Sequence, residues 1–418
     1  NTIMSKHIKF AIMLFTAVLL VACGLDDSGV SNKTQSRKSE KNTATGQAVS
    51  EQISNSEAFS MAEEYVKNMT LEEKVGQLFL VTLTKLDDAK GQMNSYEATD
   101  EMKGKIRDYH LGGVILKKRN LKSQHQTAML VSELQQVASG GALYVAVEED
   151  GGGDFSVSNE CAELRAGGYI EPKEMGEKMT SLQIYQKGVS IGKELKNWGL
   201  NLNLSPVADV SYGENPEYAR RCLGSEEDPD DVSEKLSSYV NGFREGGISV
   251  TLRTFPGLGK VSGDTTKEML NHSETLMQLR DHEFKVYAEG VKAGADCVMV
   301  GNVYMSKLIS DEIPAFMSSD IVTKLLREEI GFERVVMTSP LNESAITNKF
   351  SQEYAMTEAL KAGCDILVQP DDFEEAYHTL LEDVRVGRLN EKVINTAVCR
   401  IITNKIEAGI LVLEDTNQ

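Results

Sequence analysis

The sequence predicts an α/β fold, a TIM-like (β/α)8 barrel in one domain, and three observations carry that expectation. Apolar runs of strand length recur eight times between residues 76 and 369. Amphipathic, charge-rich stretches such as TKLLREEIGF and EFKVYAEGVKAGAD lie between them. A strand-then-helix rhythm of this length is the pattern of a closed parallel barrel. The competing arrangement, an open doubly wound sheet, lacks the glycine-rich phosphate loop that would follow its first strand.

The runs, in order, are GQLFLV (76–81), GGVILK (112–117), ALYVAVE (142–148), GLNLNLSPV (199–207), GISVTLR (247–253), ADCVMVG (295–301), RVVMTS (334–339) and CDILVQ (364–369). The tract 149–180, with GGG, NEC and AGG, reads as an insertion-like excursion after the third run. No second compact domain is indicated. A chain of 418 residues that is 41% hydrophobic has ample material for such a core. Its formal net charge of −19 is repulsive toward nucleic acid and anionic membrane surfaces, so no nucleic-acid role is expected.

The N-terminus is organised differently. From Met4 a short basic region leads into FAIMLFTAVLL and then Leu20-Val21-Ala22-Cys23. The apolar stretch is too short for an ordinary spanning helix and has the layout of an export signal. Small residues before a cysteine resemble a bacterial lipobox, which implies cleavage before Cys23 and lipidation of its thiol. Residues 24–57 contain few large apolar side chains and read as a flexible tether. The expected organisation is therefore a signal at 1–23, a tether at 24–57 and a barrel at 58–418, membrane-anchored and extracytoplasmic. Cys161, Cys222, Cys297, Cys364 and Cys399 show no CxxC and no metal-like spacing. No disulfide framework and no structural metal are expected, and Cys297 and Cys364 read as small core residues.

In a barrel the functional groups stand at the C-terminal ends of the strands. Those positions are Thr82 and Thr84, Lys117, Glu148, Asp209, Arg253, Asn302, Ser339 and Gln369. Glu148 and Asp209 are the carboxylates of this ring. The seventh run is the one that raises a question. In RVVMTSPLNESA the strand leads to Ser339-Pro340, with Leu341 to Ile346 suited to open a helix, and no carboxylate adjoins the strand end.

Seven motifs occur in order: MTLEEKVGQLFLV (69–81), LGGVIL (111–116), GLNLNLSPVADV (199–210), RCLG (221–224), FPGLG (255–259), AGADCVMVGNV (293–303) and LREEIGFERVVMTSPL (326–341). Together they resemble glycoside hydrolase family 3, in its single-domain β-N-acetylhexosaminidase branch, over roughly residues 58–410. The resemblance implies a TIM-like barrel and retaining hydrolysis of β-linked N-acetylhexosamines without a metal or cofactor. Such hydrolysis needs a carboxylate nucleophile and a proton donor on opposite faces of the sugar.

Carried over residue by residue, the resemblance points to a degenerate site. The family's T/S-D-D-L after strand seven is here Thr338-Ser339-Pro340-Leu341, so a serine stands at the nucleophile position. A serine hydroxyl attacks only with a base beside it. The Asp-x-His that supplies the proton donor is Asp264-Thr265-Thr266. The sugar-binding K-H-F-P-G-H-G is Arg253-Thr254-Phe255-Pro256-Gly257-Leu258-Gly259. D-x-E-G-G is Glu148-Glu149-Asp150-Gly151-Gly152, and the His after strand six is Asn302. Arg221 matches a substrate-contacting arginine, and its guanidinium suits an acetamido or hydroxyl oxygen. Candidate saccharide contacts are therefore Glu148, Arg221, Arg253, Thr254 and Asn302, with Asp209 read as a buried strut.

Three functions remain open. The chain is a lipid-anchored module binding an amino-sugar or peptidoglycan-type saccharide or a protein partner. Alternatively it is a divergent hexosaminidase using Glu343, or groups of the 260–274 loop such as Glu268, His272 and Glu274. The third option is a structural envelope protein. The anchoring expectation is checked directly: Cys23→Ser should leave the protein unprocessed or release it from the membrane fraction, and an unmodified Cys23 in the mature wild type contradicts it.

Overall fold

A computed structural model describes residues 55–89, 94–165 and 168–413. The export signal, Cys23 and nearly all of the tether segment lie outside the described residues. The helix Asn55–Lys67 begins within the last residues assigned to that tether.

Eight parallel strands form one sheet: β1 Phe79–Thr82, β2 Gly113–Ile115, β3 Tyr144–Val147, β4 Leu202–Asn203, β5 Ser249–Phe255, β6 Cys297–Val300, β7 Val335–Thr338 and β8 Leu367–Val368. Six lie within their predicted runs, while β1 runs one residue past its run, to Thr82, and β5 two residues past, to Phe255. Consecutive strands are neighbours, and β8 pairs with β1 through Phe79–Leu367 and Leu80–Val368. Between β7 and β8 the ring closes at Met337–Ile366, where Thr338 N–H donates to Ile366 O at 3.0 Å. Every strand residue is buried except Arg253, which is partly exposed. Burial on both faces is why these strands read as uninterrupted apolar runs.

A repeated device starts the strands. Gly294 and Gly363 adopt φ of 92° and 111° just past a helix end, a left-handed conformation that relieves the last helical carbonyls. Two residues later Asp296 and Asp365 turn back onto the neighbouring strand. Asp296 Oδ2 accepts from Val250 N–H at 3.1 Å, and Asp365 Oδ2 accepts from Val336 N–H at 2.9 Å. Asn201 does the same for Val145 N–H at 2.7 Å. The two buried acids then need counter-charges. Arg334 Nη1 lies 2.9 Å from Asp296, while Arg327 and Arg400 lie 2.7 and 3.0 Å from Asp365. Arg327 and Arg400 bring their helices against the bottom of the barrel, and Arg334 precedes β7.

After β3 the predicted excursion folds over the barrel mouth as two short 3-10 turns, Val157–Asn159 and Ala162–Leu164, and the helix Pro172–Lys178. The helix expected over 341–346 forms only at Ser344–Thr347. Leu341 N–H and Asn342 N–H instead donate to Val368 O and Gln369 O, at 2.9 and 3.0 Å, extending the β7–β8 seam before the chain can wind. Cys297 and Cys364 are buried in the core, and all five described cysteines are buried free thiols.

Asp365 tests the closure. Asp365→Ala strips a buried guanidinium and a strand N–H of their acceptor, and losing one partner of such a pair costs about 3–5 kcal/mol. Urea denaturation should show a lower midpoint with an unchanged slope.

Candidate functional site

The mouth of the barrel is organised around Glu148, the first residue past β3. Its Oε1 lies 2.7 Å from Arg221 Nη2 and 2.8 Å from Arg253 Nη1. Arg221 also grips Asp150, with Nε donating to Oδ2 at 2.7 Å, and its guanidinium lies 4.4 Å from the Phe155 ring centroid. Asp150 accepts a short hydrogen bond from Ser205 Oγ, and Tyr239 O–H donates to the Asp150 carbonyl at 2.8 Å. Burial works to raise the Glu148 pKa, but Arg253, Arg221 and Lys117 outweigh it and hold the carboxyl at about 2. Glu149, one residue on, points into the protein and bonds Gly151 N–H, Ser158 N–H and Ser158 Oγ. Burial dominates there and lifts it to about 7.

The structure therefore brings Glu148, Arg221 and Arg253 together. Asp209 belongs to a separate network and does not pair with Glu148. It accepts from Tyr218 O–H, from Leu258 N–H at 2.9 Å and from Tyr287 O–H at 3.0 Å. Desolvation raises it to about 6 despite those bonds. Thr254 is buried with its hydroxyl 2.8 Å from Tyr218 O–H, so one tyrosine joins Asp209 to Thr254. Neither Phe155 nor Tyr218 was marked by any spacing in the sequence. Phe155 comes from a loop and Tyr218 from the short helix Pro216–Ala219, and the approach of both to the mouth depends on the closed barrel.

Ser339 is buried and donates its hydroxyl to Val300 O at 3.0 Å, the same carbonyl that accepts its backbone N–H at 2.9 Å. Its proton is committed to a backbone carbonyl, which cannot act as a base. Asp264 and Thr266 are exposed on the loop after β5. Asp264 accepts from both the N–H and the hydroxyl of Thr266 and lies 2.8 Å from Lys267 Nζ. Those bonds hold it at about 2, ionised and unable to deliver a proton. His272 and Glu274 are buried and Glu268 is exposed.

Glu343 is the remaining carboxylate near the β7 end. Asn302 Nδ2 donates to it at 2.7 Å and to Thr265 O at 2.6 Å. Burial raises Glu343 to about 7, opposed by Arg253 and Lys117 and reinforced by the charges of Asp264 and Glu148. Beside this group opens a cleft of about 630 Å3 lined by Thr82, Thr84, Lys117, Glu148, Phe155 and Gln369, among others. Ser339 is not in its lining. The cleft lies over the ends of β1, β2, β3 and β8, and charged side chains of both signs line it, Lys85, Lys117, Lys118 and Arg119 against Glu148, Asp154 and Glu160.

Residues 70–404 match the glycosyl hydrolase family 3 N-terminal domain. The chain belongs to glycosyl hydrolase family 3. Within it the chain is β-hexosaminidase-like. It is 26% identical over 330 residues to β-hexosaminidase A of Pseudoalteromonas piscicida, covering 72% of this chain and 54% of that protein. It is 27% identical to a β-hexosaminidase of Hydrogenovibrio crunogenus, over 65% of this chain and 74% of the relative. Among solved structures, a family 3 β-N-acetylglucosaminidase from a Paenibacillus species superposes with a TM-score of 0.74 at 27% identity, covering 84% of this chain and 65% of that one. A β-N-acetylhexosaminidase from Beutenbergia cavernae gives 0.68 at 25% identity, over 80% and 98%. The chain thus spans about half to three quarters of the two curated relatives' lengths.

The carboxyls set a pH dependence. Glu149, Asp209 and Glu343 hold protons to higher pH folded than unfolded, so between about pH 4 and 7 the folded state binds more protons. Stability therefore falls as pH rises through that window. Glu148 acts the other way, its contribution being lost as pH drops from about 4.5 toward 2. In calorimetric scans, Glu343→Gln should flatten the decline in Tm between pH 4.5 and 7. An unchanged slope contradicts the assignment.

Proposed function

We propose that this chain is a lipid-tethered, saccharide-recognising member of glycosyl hydrolase family 3 that does not carry out the family's double displacement. The observation that carries the reading is Ser339. At the position the resemblance assigns to the nucleophile, a hydroxyl is buried and bonded to Val300 O, outside the cleft. Retaining hydrolysis needs a carboxylate nucleophile and a protonated group placed at the leaving oxygen. The Asp264–Thr266 pair supplies an ionised carboxylate and a hydroxyl, neither of which is a proton donor at neutral pH.

Recognition needs less. An ionised Glu148 fixed by two guanidiniums, with Lys117 beside it, suits the hydroxyl and acetamido groups of an amino sugar through charge-assisted hydrogen bonds. The names of the relatives, β-hexosaminidases and β-N-acetylglucosaminidases, support an N-acetylhexosamine-type ligand. The lipobox at Cys23 supports an extracytoplasmic, membrane-anchored setting in which that ligand is a cell-wall saccharide.

One observation favours a second reading, residual hydrolysis by a relocated pair. Glu343 at about 7 and Glu148 at about 2 are two carboxyls whose environments push them apart, as acid and ionised partner must be. Against it, Arg221 and Arg253 occupy the Glu148 carboxylate and lower its nucleophilicity.

Turnover of an aryl β-N-acetylglucosaminide separates the readings. Wild type should show none above Ser339→Ala, and Ser339→Asp alone should not restore it, because Thr266 still replaces the proton donor. The triple change Ser339→Asp, Thr254→His, Thr266→His should recover the most. Wild-type turnover abolished by Glu343→Gln establishes the relocated pair instead. Titration with N-acetylglucosamine oligomers should saturate, and Glu148→Ala should weaken it about tenfold or more, as expected for a lost hydrogen bond to a charged group.

A further inference from the structure

Behind the loop that carries Asp264 and Thr266, three potential metal ligands converge. His272, Glu274 and Glu283 are all buried, and one donor atom of each lies within 4.8 Å of the other two. Two come from the end of the 260–274 loop, whose His272 N–H donates to Tyr304 O at 2.8 Å. The third opens the helix Glu283–Lys292. Over the cluster stands Tyr212, from the segment after β4. Its hydroxyl oxygen lies 3.1 Å from Glu274 Oε2, 2.9 Å from Glu283 Oε1 and 3.0 Å from His282 Nδ1.

The arrangement is unsatisfied as it stands. His272 is fully buried with neither ring nitrogen hydrogen-bonded, and Glu283 Oε2 is buried without a partner. A buried polar atom left unpaired costs about 1–3 kcal/mol, and a buried imidazole normally bonds at one nitrogen at least. Tyr212 has a single hydroxyl proton and faces two carboxylate oxygens, so it can donate to only one of them. The nearest counter-charge is Lys260, 4.7 Å from the Tyr212 ring centroid, and it is already paired with Glu214 at 3.2 Å.

We propose that His272, Glu274 and Glu283 bind one first-row divalent cation of the zinc class, with the Tyr212 oxygen as a further donor. Two carboxylates neutralise the charge of such an ion, and an imidazole beside carboxylates favours zinc, iron or nickel over calcium or magnesium. Zinc bonds of about 2.0–2.2 Å place ligand atoms about 3.4 Å apart, so atoms within 4.8 Å of one another close on the ion by moving about 1 Å or less. The ion supplies a partner to one His272 nitrogen and replaces the proton otherwise shared by the carboxylates. No sequence spacing marked the site, because the helix ligand follows the loop pair by nine residues and reaches it only through the fold. The ion ties the end of the 260–274 loop to the helix behind it. This role is independent of whether the cleft binds or cleaves saccharide.

The test uses the full chain, stripped with EDTA, incubated with zinc chloride and desalted. Elemental analysis should find about one zinc per chain and calorimetry a higher Tm than the stripped protein, since a ligand bound only by the folded state stabilises it. Calcium at the same concentration should not be retained. Glu274→Gln and Glu283→Gln should lose the retained zinc. Zinc-edge absorption on the wild type should show a nitrogen and oxygen shell containing one imidazole. A wild type that retains no zinc, variants that retain as much as wild type, or a sulfur-containing shell each overturn the proposal. The wild-type measurements stand even if a variant misfolds.

Discussion

A closed ring of parallel strands must find acceptors for the N–H groups near the start of its strands, at the end where helices hand the chain back to the sheet. Here side chains fill that requirement. Asn201, Asp296 and Asp365 each accept from a neighbouring strand, at Val145, Val250 and Val336. Two of these acceptors are carboxylates buried in the base of the barrel, which is tolerable only when paired. Arg334, Arg327 and Arg400 supply the pairing, and the last two fix where their helices dock. Barrel closure and helix placement are thus one electrostatic arrangement, and the position of every strand end at the mouth follows from it.

At the opposite end a similar economy of polar groups holds, with a different outcome. Asp150, Arg221, Glu148 and Arg253 form a continuous chain of opposite charges, and Asp209, Tyr218 and Thr254 form a second chain of hydrogen bonds. Each group is held by the others. The positions where the family resemblance calls for histidine or aspartate carry side chains that settle into these networks or onto backbone carbonyls. Thr254 bonds Tyr218, Thr266 bonds Asp264, and Ser339 bonds Val300 O. Thr254, Thr266 and Ser339 are thus each hydrogen-bonded within the protein, while Glu148 and Lys117 line the cleft with other charged side chains.

This division explains how a quarter-identical chain keeps the family fold. Gly-Ala-Asp at 294–296 and Gly-Cys-Asp at 363–365 each pair a left-handed glycine with a buried aspartate that completes the base of the barrel. Ser339 donates its hydroxyl to a carbonyl of the neighbouring strand, so the end of β7 is tied to β6.

Strand number, strand order and the identity of the mouth residues were legible in the sequence, because burial on both faces imposes continuous apolar runs and the barrel places their C-terminal ends together. Glu148, Arg253 and Ser339 were legible as strand-end positions, while the pairing of Glu148 with Arg221 and Arg253 was not. Other features depended on contacts between residues far apart in the chain. The short helix at Ser344–Thr347 was decided by backbone bonds to β8, and the ion pairs of Glu148 by arginines 73 and 105 residues away. Whether a carboxyl sits at about 2, like Glu148, or about 7, like Glu343, depends on burial and on which charges the fold brings to it. Local pattern determined the elements, because periodicity and burial are properties of short segments. Tertiary structure alone decided the chemistry of the site, because protonation and hydrogen-bond commitment are properties of the assembled neighbourhood.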